Sequence, residues 1–235
     1  MPVIDVRGVT HTYGHGPAGR AVLQDVSVTL SEQRIGVIGA NGSGKSTFAR
    51  LLNGLVLPTE GRVLDDGLDS RRHGRELRRR VGFCFTDPDS QIVMPTVAED
   101  IAFGLRRRDL SKDEVVTRVE QALETYGLSG HADHPAHLLS GGQKQLLALA
   151  AVLVTEPEVL VLDEPTTLLD LRNAVVVDRV VGQLPHQVLL VTHHLDLLSG
   201  FDRVLVFHDG RLAYDGEPDT AVAHYRDLMA REVRG

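Results

Sequence analysis

Nine consecutive positions, Gly39-Ala40-Asn41-Gly42-Ser43-Gly44-Lys45-Ser46-Thr47, combine three glycines, three hydroxyl side chains and one lysine. They fit the pattern G-x-x-x-x-G-K-[ST], whose chemistry is the holding of a triphosphate. Glycines let successive backbone N–H groups turn toward phosphate oxygens, and the helix that follows adds its positive N-terminal end. Lys45 would reach the β- and γ-phosphates, and the Ser46 hydroxyl would ligate Mg²⁺. A glycine-rich turn merely joining strand to helix is the alternative. The Lys45-Ser46 pair and the flanks argue against it, since Ile35–Ile38 reads as a strand and Thr47–Leu55 as a helix. A second concentration of reactive groups follows the apolar run Val159–Leu162, which ends in Asp163 and Glu164. A buried strand normally excludes charge, so two carboxylates at its end imply a metal and a water to act on.

Leu139-Ser140-Gly141-Gly142-Gln143 opens the apolar run Leu146–Val154. Ser140 and Gln143 have capping-box spacing, which accounts for a helix start. Two glycines and a serine at a helix N-terminus also form an anion site, because unpaired N–H groups and the dipole favour negative charge. With this LSGGQ segment the chain resembles the ATP-binding cassette family. The resemblance implies an α/β P-loop NTPase fold: a RecA-like core, a small antiparallel β-subdomain and a helical signature subdomain. It also implies ATP and Mg²⁺ as ligands. Gly39, Asn41, Gly42, Ser43, Gly44, Lys45, Ser46 and Thr47 would hold ATP in one subunit. Ser140, Gly141, Gly142 and Gln143 would meet the γ-phosphate of ATP in the opposite subunit. Asp163 would hold Mg²⁺ through water, Glu164 would act as general base, and His193 would bond the γ-phosphate. Asp170 falls in the D-loop, and Tyr13 matches the aromatic that stacks on adenine. His194 reads as an ordinary core or surface residue.

The chain departs from the family at Thr86, where cassettes usually carry a glutamine that meets Mg²⁺. Threonine keeps a hydroxyl but is shorter, so a bridging water is the expected metal contact. Beyond it, Asp87-Pro88-Asp89-Ser90-Gln91-Ile92-Val93 resembles the N-P-D-x-Q segment of ATPases in energy-coupling factor importers for vitamins and metal ions. That resemblance implies a short helix, capped by Asp87, presenting Gln91, Ile92 and Val93 to a transmembrane coupling subunit. A substrate-binding membrane subunit and a second ATPase subunit, identical or paralogous, would complete the complex. Biotin uptake systems are the best match within the group, with cobalt, nickel or shared vitamin modules as competitors.

These residues need a scaffold, and 235 residues suffice for one cassette. The expected division is a core over 1–86 and 155–219, a helical subdomain over 87–154, and a short C-terminal helix over 220–235. Val3–Val9 and Val22–Leu30 read as strands joined by a glycine-rich loop, and Asp65-Asp66-Gly67 as a turn. Ser111 and Glu114 form a capping box. Val115, Val119, Ala122, Leu123 and Tyr126 then share one face, and Gly127 stops the helix. Gln187–Thr192 reads as a buried strand, and Val204–His208, Asp209-Gly210, Arg211–Asp215 as a type I′ hairpin.

A net charge of −7 argues against a general nucleic-acid binder. Only three of the 25 basic residues are lysine, so arginine clusters carry little meaning by themselves. Arg71–Arg80 and Arg106–Arg108 read first as solvated faces and second as a docking surface. Cys84 is the single cysteine, and His131, His134 and His137 lack the acid pattern of a metal site. Met1–Thr10 has no apolar stretch resembling a signal peptide, and the longest apolar run, Leu146–Val154, is nine residues. The expected location is the cytoplasmic face of the cell membrane, held by docking. A soluble cassette acting on DNA or ribosomes is the rival reading, though no long coiled-coil insertion or second cassette is present. A non-hydrolysing nucleotide binder is disfavoured by Glu164.

Overall fold

The computed structural model describes residues 1–14, 19–106 and 108–232. In chain order the elements are strands β1 (Ile4–Tyr13), β2 (Arg20–Leu30) and β3 (Arg34–Gly39), then helix α1 (Lys45–Leu52). Strands β4 (Glu60–Asp65) and β5 (Leu68–Asp69), helix α2 (Gly74–Arg80) and strand β6 (Val81–Cys84) follow. Helices α3 (Val97–Leu105), α4 (Lys112–Thr125) and α5 (Gly141–Leu153) come next, then β7 (Val159–Asp163), α6 (Leu171–Gln183) and β8 (Gln187–Val191). The hairpin β9 (Arg203–His208) and β10 (Arg211–Gly216) and helix α7 (Pro218–Glu232) end the order. The chain divides into two compact units. One holds Met1–Val81, Glu158–Asp163 and His186–Gly235, and the other Gly82–Pro157 and Glu164–Pro185.

In the first unit, β3, β7 and β8 pair in parallel, and β9 joins parallel to β3. Every residue of β7 and β8 is buried, which is why each carries a four-residue apolar run, Val159–Leu162 and Val188–Val191. The strand order is β10-β9-β3-β8-β7, so the C-terminal ends of β3, β8 and β7 lie side by side. Open α/β sheets place ligands at such an edge. A second sheet, ordered β2-β1-β4-β5, is antiparallel. Asp209 (φ 45°) and Gly210 (φ 75°) both take left-handed conformations, as a type I′ turn requires. Strand β1 runs past the expected Val9 end to Tyr13, accommodating register shifts between Val6 and Thr12. The expected glycine-rich loop includes positions 15–18, which lie outside the described residues, as do Arg107 and positions 233–235.

In the second unit, α3, α4 and α5 enclose a core that includes Val97, Ile101, Val119, Leu123, Leu147 and Ala150. Capping boxes start all three helices: Thr96 with Glu99, Ser111 with Glu114, and Ser140 with Gln143. Val115 and Tyr126 pack partly buried beside Val119, Ala122 and Leu123, as their spacing requires. Cys84 is buried, its thiol pushed up to about 12 by desolvation.

The arginine segment Arg71–Arg80 is more than a solvated face. Arg71 donates to the Pro58 and Thr59 carbonyls, and Arg78 to that of Gly54. Arg80 sits among Asp65 (2.9 Å), Asp66 and Glu158 (3.0 Å). Arg108 likewise donates to the Thr155 carbonyl at 2.6 Å. These arginines tie loops to elements, a use that no periodicity displays.

Asp65 is fully buried, and among the described residues Arg80, with Nε 2.9 Å from Oδ2, faces it without a well-aligned hydrogen bond to either carboxylate oxygen. Desolvation outweighs Arg80 and raises its pKa from 3.8 to about 6. Between those values the folded chain binds more protons than the unfolded one, so stability falls as pH rises from about 4 to about 6. Asp65→Asn should remove that slope. Denaturant melts at pH 4 and pH 7 should show wild type losing on the order of 3 kcal/mol relative to the variant. Parallel losses in both proteins would refute the assignment.

Candidate functional site

The loop after β3 turns through Gly39 (φ 151°), Gly42 (φ 81°) and Gly44 (φ 100°). A Cβ on Gly39 would stand 2.2 Å from the Phe207 carbonyl oxygen, and one on Gly44 would stand 2.7 Å from that of Val22. Only glycine allows both the conformation and the approach. Lys45, 5% exposed, opens α1 and donates its Nζ to the Gly39 and Ala40 carbonyls at 2.8 and 2.9 Å. Helix α1 has no side-chain cap and no acid in its first turn, so its leading N–H groups are offered to an anion. Ser43 Oγ is buried and unpartnered among the described residues. A buried hydroxyl without a partner is costly, and a phosphate oxygen would satisfy it. These residues fit a polyphosphate.

One α-helical position beyond the lysine, Ser46 donates its Oγ to Asp163 Oδ1 at 2.8 Å. Asp163 closes β7 with its side chain 1% exposed, and Arg50 approaches Oδ2 at 3.6 Å. Arg50 lies four residues after Ser46, so both face Asp163 from one side of α1. Its part was missed in the sequence, where only the helix spacing hints at it. A hydroxyl and a carboxylate oxygen side by side are hard donors suited to Mg²⁺, which needs few protein ligands beside phosphate and water. Among the described residues no cluster of three or more His, Cys, Asp or Glu could hold a metal by itself, the three loop histidines included. Tyr13, 43% exposed, stands at the end of β1 with its hydroxyl 3.4 Å from Thr47 Oγ1. A cavity of about 420 Å³ lies between Tyr13, Val22 and Gly42 of the glycine loop, bounded also by Arg20, Gln24 and Asp209. His193 follows β8, is exposed, and its ring lies 4.1 Å from that of His194.

In the second unit, Glu164 adopts φ 52°, a left-handed conformation unusual outside glycine and asparagine. Thr167 Oγ1 donates to Glu164 Oε2 at 2.7 Å. Strain of this kind collects at functional positions. The signature box is formed as its spacing requires: Ser140 Oγ accepts from the Gln143 N–H at 3.4 Å, and Gln143 Oε1 accepts from the Ser140 N–H at 3.0 Å. Gln143 Nε2 also meets His131 Nε2 at 2.6 Å, so this side chain is engaged within its own unit. Gly142 is required by proximity, since a Cβ there would stand 2.4 Å from Asn173 of α6. Thr86 is half-buried in a bend after β6.

Pro88–Ser90 is a 3-10 turn capped by Asp87, which accepts the Asp89 N–H at 3.0 Å. Gln91 turns inward: its Nε2 donates to the Ala148 carbonyl at 3.2 Å and its Oε1 accepts the Phe85 N–H at 3.2 Å. Ile92 packs partly buried on the helical core, while Val93 is 60% exposed. Asp100, 4% exposed, accepts the N–H groups of Val93 and Met94 at 2.8 and 2.9 Å and so holds Val93 outward.

A family model described as ABC transporter matches residues 23–167, from β2 through the signature helix to Thr167. The chain is 50% identical to the biotin transport ATP-binding protein BioM of Rhizobium etli, over 90% of this chain and 94% of that one. It is 43% identical to the energy-coupling factor transporter ATP-binding protein EcfA1 of Symbiobacterium thermophilum, over 97% of this chain and 84% of that one. Among solved structures, cbiO1 from Clostridium perfringens, part of the ABC transporter complex cbiONQ, superposes with a TM-score of 0.81. It is 32% identical, covering 98% of this chain and 94% of its own. The family match over most of the chain and the identity to transport ATP-binding proteins show that this chain belongs to the ABC transporter family as an ATP-binding, ATP-hydrolysing cassette.

Proposed function

We propose that this cassette powers an energy-coupling factor importer, with biotin as the favoured substrate. The observation that carries the reading is the 50% identity to a biotin transport ATP-binding protein along nearly the whole chain. The similarity to EcfA1 supports the transporter type. Among the described residues no helix is long and apolar enough to cross a membrane, so membrane subunits would supply the translocation path at the membrane's cytoplasmic face.

Lys45, the glycine-loop N–H groups and Ser43 are assigned to the phosphates, and Tyr13 to the adenine. Ser46 and Asp163 would hold Mg²⁺, with Thr86 contributing through water. When bound, Mg²⁺ would neutralise charge on the β- and γ-phosphate oxygens. Glu164 is assigned the proton of the attacking water, and His193 a hydrogen bond to the γ-phosphate. Ser140, Gly141, Gly142 and Gln143 would meet the nucleotide of a second ATPase subunit. Leu168 and Leu171, 64% and 81% exposed, flank the D-loop acid Asp170 and offer apolar surface for that subunit to cover. Val93, held outward by Asp100, is the preferred contact for a coupling subunit, and Gln91 is reassigned to bracing the loop behind it.

Uptake in cells whose chromosomal copy carries Glu164→Gln tests the substrate. Accumulation of labelled biotin should fall to background while cobalt and nickel uptake persist. Loss of metal uptake with biotin intact would replace the substrate, and no uptake defect at all would favour the soluble rival.

A further inference from the structure

We infer that His11 is a positioning residue for the base-stacking ring of Tyr13, an inference that rests on the assignment of Tyr13 to the adenine. His11 and Tyr13 alternate on β1, so both side chains leave the same face of the strand. Their rings meet edge to face, with centroids 4.6 Å apart and planes at 84°. That is a preferred geometry for aromatic pairs, because the positive edge of one ring meets the negative face of the other.

His11 is itself fixed. It is 8% exposed, and its Nδ1 lies 3.0 Å from the Leu57 carbonyl oxygen. A carbonyl can only accept, so Nδ1 is the donor of this bond. Nε2 is buried and has no partner among the described residues. A phenylalanine or leucine would fill this space without leaving a polar atom unsatisfied, so burial alone does not account for histidine here. The Leu57 bond fixes the ring plane more firmly than the packing of an apolar ring at this position would.

Tyr13 is thereby held at two points. Its ring meets His11, and its hydroxyl reaches Thr47 Oγ1 in the first turn of α1. Tyr13 as a whole is 43% exposed and lines the cavity that Gly42 borders. A platform fixed in advance loses less side-chain freedom when a base stacks on it. The phosphate contacts of the glycine loop do not pass through His11. Its influence is therefore confined to ligands that carry a base.

Calorimetric titration of the purified chain with ATP and with inorganic tripolyphosphate separates these roles. His11→Ala should weaken ATP about three- to tenfold, the range of an aromatic pair, and leave tripolyphosphate unchanged. His11→Phe restores an aromatic edge and should recover most of the ATP affinity, and His11→Ala should add no loss in a Tyr13→Ala background. Equal weakening of ATP and tripolyphosphate would overturn the inference, since a general disturbance of the fold would produce it. Unchanged ATP affinity in His11→Ala would also overturn it, provided Tyr13→Ala weakens ATP. If Tyr13→Ala itself leaves ATP affinity intact, the adenine assignment fails first and takes the His11 role with it.

Discussion

Glu164→Gln is expected to bind ATP as tightly as wild type and to hydrolyse it about 10²- to 10⁴-fold more slowly, the range for loss of a general base. Glutamine matches glutamate in size, and its amide oxygen can still accept the 2.7 Å hydrogen bond from Thr167 Oγ1. It must adopt the same φ of 52°, so the strain of that conformation is carried equally by both proteins. What changes is the capacity to take a proton from water. Phosphate release measured beside nucleotide affinity isolates this one property. The variant should also accumulate as an ATP-dependent dimer on a sizing column, because the sandwiched nucleotide is no longer consumed. Turnover within a fewfold of wild type would remove Glu164 from the chemistry, and a dimer equally populated without ATP would show that nucleotide is not the link.

The parts of this molecule that could be read in the sequence are those whose physics is local. Strands β3, β7 and β8 are buried on both faces, so they appear as apolar runs. The glycine loop is legible because its backbone angles admit no other residue, and the signature helix because its cap has a fixed spacing. Helix α6 was not anticipated. Its Val175–Val177 run is β-branched and carries exposed Val175 and Val176, which blur the buried stripe through Val177 and Val181. The one usable signal was Asp170, whose carboxylate caps the helix by accepting the Asn173 N–H at 2.8 Å. Gln91 illustrates a different limit. The resemblance of its segment implied a partner-facing residue, and Phe85 and Ala148 supply an inward donor and acceptor that tertiary packing alone creates. Arg80, Arg50 and the strained backbone of Glu164 belong to the same class, because each depends on residues distant in sequence or on a conformation that spacing does not encode.

Lys45→Ala should lower ATP affinity by about 100-fold or more and bring phosphate release to background. The ammonium is buried and already 2.8 and 2.9 Å from two loop carbonyls, so the loop is shaped around a cation. Hydrogen bonds to charged groups contribute about 1.5–3 kcal/mol each, and loss of two such bonds to phosphate gives a change of that order. The substitution also strips Gly39 and Ala40 of a donor, which could loosen the loop without any direct role in phosphate binding. Lys45→Met controls for the lost packing, since its unbranched side chain fills the buried stem position while removing the ammonium and its hydrogen bonds. Both variants should lose ATP and tripolyphosphate alike, in contrast to variants at His11, because the lysine acts on phosphate and not on the base. Thermal melts establish that the loop remains folded. A folded Lys45→Met protein with near-normal turnover would mean that the ammonium serves only to brace Gly39 and Ala40, and that the uncapped N–H groups of α1 and the buried Ser43 hydroxyl hold the phosphates without it.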